Sequence, residues 1–238
     1  MRSFTNLSRP DSPYQSESRP CGTYGHLLTA VAIDWSYSPH LQTAVVASVS
    51  VVHLRIRSAA TLDAGQRPLS IKFHTTAVEA DGETQDQIAH VDTVLAGARR
   101  HANVLAAHGL ADDLAQVMKL TGHQLPGVQD AHEAWVGRDV SGHGLPWMVD
   151  TRHDVPDDER LELDVSLDPL TIIPDNRPGH VQAAVVAVRS LSRCVAIGLA
   201  AAVHTGQFRW DGTFLAQAAV ADAAWDVFEM PTRPAPAT

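Results

Sequence analysis

The chain lacks most of the features that classify a protein at a glance. It has two cysteines in 238 residues, Cys21 and Cys194. That is too few for a disulfide framework, and their places, one in a Ser/Pro-rich stretch and one in an apolar helix pattern, favour reduced thiols and a cytoplasmic setting. Basic residues are short: 18 Lys and Arg stand against 27 Asp and Glu, for a net charge of -9. A broad surface that grips nucleic acid by neutralising phosphates is therefore excluded. An enzyme that admits only a strand end into a local acidic site is not. No apolar run of membrane length is uninterrupted, because residues 181–204 are broken by Arg189 and Arg193, and no membrane span is expected. The start has no basic-then-apolar signal pattern. Thirteen histidines are scattered without metal-finger spacing, and there is no internal repeat.

What is present suits one mid-sized domain. A hydrophobic fraction of 45% over this length is enough to bury a core. Residues 1–24, rich in Ser, Pro and Arg without a period, read as a disordered leader, and 231–238, alternating Pro with small residues, as a disordered tail. The domain is expected over 25–230.

Within it, strands come first. Residues 26–34, 41–57 and 69–78 are rich in Val, Ala and Ile, and the turn at Tyr37 to His40 makes them an antiparallel meander. Helical spacing of Ile88, Val91, Leu95 and Ala98 predicts a helix over 86–100. A short strand over 103–107, a loop at His108 and Gly109, a helix over 111–120 and a second short strand over 146–151 follow. Residues 182–204 predict a long helix buried on most sides, and 214–228 a last amphipathic helix. The order describes an α/β fold, a mixed sheet of antiparallel meander plus parallel strands flanked by helices.

Two aspartates stand out in that frame. Asp34 ends the first apolar strand, and Asp113 opens the helix after His108. One acid leaving a buried strand and another starting a helix can converge on one divalent cation. The bland alternative for each is a solvated surface charge. Arg189 and Arg193, one helical turn apart, either meet phosphates, or pair with neighbouring loops or mark the solvated stripe. Phe208 and Trp210 either stack on bases or pack under the loop between the last two helices. His153 and Asp158 also carry a five-residue spacing, but in a Pro- and charge-rich loop, where it is a coincidence. Trp225 and Phe228 read as the anchoring end of the last helix.

The order and spacing resemble the DEDD-type 3'-5' exonucleases of the ribonuclease H-like superfamily. In that family a first strand carries Asp-x-Glu, a later strand-to-helix junction carries His-Asn-x-x-x-Asp, and a late helix carries His-x-Ala-x-x-Asp. Asp34 matches the first acid, and His108 and Asp113 match the second motif, with Gly109 where Asn is common. Val149, Asp150 and Thr151 resemble the strand end that follows, and His180 to Val185 resembles a worn third motif. The resemblance covers roughly residues 28–205 and its motifs are short. It implies a ribonuclease H-like sheet, Mg²⁺ or Mn²⁺ held by Asp34 and Asp113, His180 as the base that activates water, and a single-stranded DNA or RNA end as substrate. The departures are Ser36 in place of the glutamate and Val185 in place of the last aspartate, so two of four acids are missing. Two-metal chemistry relies on several carboxylates; Asp112, Asp150 and Asp154 are the acids available to substitute. Three readings stay open: a metal-dependent 3'-5' exonuclease with a substituted site, a catalytically inactive exonuclease-fold module that binds nucleic acid or protein, and an unrelated α/β protein. The oligomeric state is not legible.

Overall fold

A computed structural model describes residues 1–8, 26–38, 42–56, 70–137, 146–156, 162–172, 179–206, 208 and 212–228. The strands are β1 (Arg2–Thr5), β2 (His26–Ser38), β3 (Thr43–Ile56), β4 (Ile71–Ala77), β5 (Val104–Ala107), β6 (Trp147–Asp150) and β7 (Thr171–Ile172). The helices are α1 (Thr84–His101), α2 (Leu110–Lys119), α3 (Pro126–Val136), α4 (Gly179–His204) and α5 (Ala216–Ala224).

The strands lie in the order β1-β4-β3-β2-β5-β6, with β7 added to β2. The meander β2–β3–β4 is antiparallel, and β5, β6 and β7 run parallel to their neighbours. Helices flank this mixed sheet on both faces, the α/β arrangement that the element order predicts. Alternation along β2 divides the core in two. Leu28, Ala30 and Ala32 face α4 and α5, whereas Val31, Ile33 and Trp35 face α1, α2 and α3.

Helix α4 is the central support of the first layer. Every residue from Ser190 to Ala202 on it is buried, and small side chains bring its backbone close to the sheet. A Cβ at Gly198 would stand 3.3 Å from both the Ala30 Cβ and a Leu54 methyl carbon. By length and composition α4 is apolar enough to cross a bilayer, but 78% of its most apolar window is buried inside the fold, against β2 and β3. The Cys194 thiol on this helix donates to the carbonyls of Ala30 and Ser50, both at 3.3 Å, and burial pushes its pKa well up. Cys21 lies outside the described residues.

Besides the two-residue β7, two elements depart from the sequence expectation. Residues 2–5, expected within a disordered leader, form β1 and pair antiparallel with β4, Arg2 opposite Ala77 and Thr5 opposite His74. A single apolar residue, Phe4, makes the strand worthwhile: it is buried and stacks on Phe228 with ring centroids 4.6 Å apart. The Asn6 side chain then accepts from Phe73 N–H at 2.9 Å and donates to the Ile71 carbonyl at 2.9 Å. One buried ring in a polar tetrapeptide leaves no period to read. Helix α3 also goes beyond the sequence reading. Its Pro126 at the first turn and buried Val128, Ala131 and Trp135 are the available signal. The remainder of the expected leader, residues 9–25, and the expected tail, 231–238, lie outside the described residues.

Candidate functional site

The sheet splits where β2 changes partners. Strand β5 pairs with β2 at Leu28 to Ala30, and β7 pairs with it at Trp35 and Ser36. Asp34 sits in the gap between. The register against β3 also shifts there: Asp34 faces Ser48 and Trp35 faces Val46, leaving Ala47 as the extra residue of a bulge. Such a break re-aims side chains at the end of a strand. The crevice at the carboxyl end of a strand, where the order of pairing switches, is the usual ligand position in α/β sheets.

Asp34 is fully buried, and both of its oxygens are committed. Oδ1 accepts the Leu170 N–H at 2.9 Å, and Oδ2 accepts the Ser48 hydroxyl at 3.3 Å. The Arg193 Nε lies 3.0 Å from Oδ1 as an ion pair, without an aligned hydrogen bond. Its two terminal nitrogens donate to the carbonyls of Ile33 at 2.7 Å and Leu167 at 2.9 Å. The guanidinium thus joins α4, β2 and the strap of residues 162–172. Arg189, expected to act with it, is exposed.

Asp113, in the first turn of α2, approaches from the other layer. Its Oδ1 accepts the Trp35 indole N–H at 2.8 Å. Burial pushes its pKa up to about 6, and the Asp34 charge adds to the rise; the Trp35 bond and Arg193 oppose it. The two aspartates are therefore electrostatic neighbours, joined through Trp35 and Arg193.

The β5–α2 junction is fixed by Asp150. Gly109 has φ +69°, the left-handed conformation that glycine takes at no steric cost, and a Cβ there would stand 2.7 Å from the Arg152 guanidinium. Its N–H donates to Asp150 Oδ1 at 2.9 Å; that oxygen also accepts Arg152 N–H, and Oδ2 accepts the Trp135 indole at 3.1 Å. Burial raises the Asp150 pKa, but these bonds outweigh it and the net shift is downward. The other two acids named as substitutes are likewise engaged. Asp112, exposed, pairs with Arg152 at 3.2 Å, and Asp154 Oδ2 accepts the Asp150 N–H at 2.7 Å.

His108 lines a cavity of about 420 Å³ with Thr151, Arg152, Leu167, Asp168 and Ala200. Its Nδ1 is 2.9 Å from the Thr151 hydroxyl. That hydroxyl donates to the Ala107 carbonyl at 3.2 Å, which makes His108 Nδ1 the donor to Thr151. Nε2 then faces Asp168 Oδ1 at 3.5 Å across the strap. Burial lowers the His108 pKa, Arg152 adds to the fall, and Asp168 opposes it.

The third motif is not brought to this place. His180 is exposed in the first turn of α4, and Val185 is 39% exposed. His180 precedes Arg193 by thirteen residues, about 20 Å along a helix rising 1.5 Å per residue. Arg193, in the middle of α4, is what meets Asp34. Ser36 is half-buried on β2. Phe208 packs into the core, whereas Trp210 and Asp158 lie outside the described residues and His153 is exposed.

A divalent ion does not fit this donor set as it stands. Mg²⁺ and Mn²⁺ need several free oxygens in near-octahedral array, and Asp34 already serves a cation, a hydroxyl and an amide. Among the described residues no three histidine, cysteine or carboxylate groups are arranged to hold a metal. The signal for Arg193 was present in the sequence as an arginine inside an apolar helix. No protein-family model matches the chain, and no curated protein matches its sequence.

Proposed function

We propose that this chain is a ribonuclease H-like protein related to the DEDD-type 3'-5' exonucleases whose cation position has passed to a buried arginine, leaving a module that binds rather than hydrolyses. The strand order, with an antiparallel meander followed by parallel strands and an acid in the carboxyl half of the central strand, supports the kinship. The observation that carries the functional reading is the Arg193 guanidinium 3.0 Å from Asp34. A fixed positive group neutralises the carboxylate that an ion would otherwise bridge. In the motif spacing, Arg193 stands five residues after Val188, so with α4 in this register these two take the places of the family's aspartate and histidine. The strap completes the closure, since Leu167 and Leu170 bind the same pair. A net charge of -9 fits recognition of a protein better than of a phosphate backbone.

A metal-dependent exonuclease acting on a single-stranded DNA or RNA end is the second reading, and Asp113 favours it: a buried carboxylate with a raised pKa beside another acid is what functional sites often contain. Calorimetric titration with Mn²⁺, run beside an assay on 3'-labelled single-stranded DNA and RNA, separates the two. The binding reading expects no degradation and no Mn²⁺ uptake that Asp113→Asn removes. Mn²⁺-dependent degradation lost in Asp34→Ala would overturn it.

A further inference from the structure

The cavity of about 420 Å³ beside His108 has a polar mouth and an apolar lining. It opens where the parallel strands β5 and β6 end: His108 directly follows β5, and Thr151 and Arg152 directly follow β6. The crevice at such carboxyl ends is where α/β proteins hold their ligands. The strap of residues 162–172 forms another wall. On it Leu163, Val165 and Leu167 are half-buried against the core, whereas Ser166 and Asp168 are exposed. Val155 and Ala200, both buried, complete the apolar lining, and the small Ala200 side chain leaves it room.

At the mouth two hydrogen-bond acceptors face each other. His108 Nδ1 donates to the Thr151 hydroxyl, so in the neutral ring Nε2 carries a lone pair and no hydrogen. The ring is neutral near pH 7, because burial and the Arg152 charge lower its pKa and outweigh the pull of Asp168. Asp168 Oδ1 stands 3.5 Å from Nε2. Its Oδ2 accepts the Ser166 hydroxyl at 3.4 Å, and Ser166 Oγ accepts the Asp168 N–H at 3.1 Å, which steadies the carboxylate on the strap. Arg152 is closer to Asp112, at 3.2 Å, than to Asp168 Oδ1, at 4.0 Å, so Asp168 keeps most of its charge. Two acceptors this close repel unless a donor serves both, and that donor needs at least two hydrogens. Two carboxylates, Asp112 and Asp168, against one guanidinium also leave the mouth negative.

We propose that this cavity binds a small primary amine in its ammonium form, the nitrogen seated between His108 Nε2 and Asp168 Oδ1 and a short apolar body lying on Val155, Val165, Leu167 and Ala200. An ammonium has three N–H groups, enough for both acceptors, and its charge offsets that of Asp168. A water molecule would serve the acceptors but leave the apolar lining wet, and an alcohol brings one hydrogen to two acceptors. An amino acid adds a carboxylate where Asp112 and Asp168 already stand. The volume suits such a ligand, since small-molecule pockets start at roughly 300 Å³. The site borders the Arg193–Asp34 pair through Leu167, whose carbonyl accepts from Arg193, and does not depend on the exonuclease kinship.

The test uses the full chain at neutral pH with isoamylamine as the probe, and isoamyl alcohol and leucine beside it, followed by calorimetry. The expected result is one amine per chain, bound about tenfold or more tightly than either the alcohol or leucine. Asp168→Asn, at an exposed position, should weaken the amine by about tenfold or more. Asp130→Asn, an exposed acid on α3, should leave it unchanged. In the unaltered chain the His108 ring nitrogen resonances should shift on adding the amine, which locates the ligand without any variant. Absence of saturable amine binding would overturn the proposal, as would undiminished binding in Asp168→Asn. Leucine or the alcohol binding as tightly as the amine would overturn it too, and amine-induced shifts that spare His108 would sink it.

Discussion

Arg193 on α4 and Asp34 on β2 form an ion pair sealed inside the fold, Nε to Oδ1 3.0 Å, with the arginine 1% exposed and the aspartate 0%. Each is satisfied further by backbone: Arg193 by two carbonyls and Asp34 by the Leu170 amide. These contacts compensate the desolvation of two charges, which a bare pair in this setting does not.

Removing one partner should therefore be costly. Arg193→Met leaves the Asp34 carboxylate buried without its cation, and a loss of about 3–5 kcal/mol is expected. Adding Asp34→Leu removes the orphaned charge and should recover much of the loss. Urea denaturation of the two variants checks this; a double variant less stable than Arg193→Met would mean that the hydrogen bonds, not the charges, matter most.

Asp113 sets a pH dependence of its own. Its folded pKa, about 6, lies above the ordinary 3.8, so the folded state holds the proton more tightly than the unfolded state between those values. Stability from this group is present below pH 3.8 and is lost as pH rises through 6. Asp113→Asn, which still accepts the Trp35 indole, should stabilise the protein at pH 8 by about 2–3 kcal/mol and hardly at all at pH 4. Melting temperatures at the two pH values measure it; equal shifts at both would rule out a raised carboxylate.

A cavity of about 690 Å³ lined by His53, His74, His90 and His101 acts with the opposite sign. Burial, aided by the charge of His74, lowers the His90 pKa from 6.5 to about 4; burial, with His101 and His74, lowers that of His53 to about 3. The unfolded chain binds these protons first as pH falls. Stability is full above pH 6.5 and declines toward pH 4, with Arg100 on the cavity wall adding to the repulsion. His90→Gln should flatten this acid limb without changing the melting temperature near pH 8. A limb of unchanged slope would place the titrating groups elsewhere.

The first eight residues belong to the folded unit. Phe4→Ala removes a ring that is 3% exposed and stacked on Phe228, and should cost about 3–5 kcal/mol. Deleting residues 1–8 should cost at least as much, because the Asn6 bonds to β4 are lost with it. Thermal melting of both variants checks it; a deletion with no effect would make β1 an incidental contact.

Local pattern alone determined the meander, α1, α4 and the placement of Asp113 at a helix start, because period and burial coincide there; Asp34, expected at the end of its strand, lies four residues inside β2, which runs on to Ser38. Pairing decided the rest. Strand β1 exists because β4 offers an open edge to one buried ring, and β7 is two residues long, too short for any period. Arg193 is the clearest case. In a helix buried nearly all round, every position looks alike to a periodicity argument, so residues 180–185 were as good a match for the sheet's acid as the middle turns. Close packing chose between them. Gly198 sits against Ala30 and Leu54, and the Ser50 hydroxyl donates to the Ser190 oxygen at 2.9 Å. Those two contacts set α4 in register, and that register puts Arg193 on Asp34 and leaves His180 some thirteen residues away in solvent.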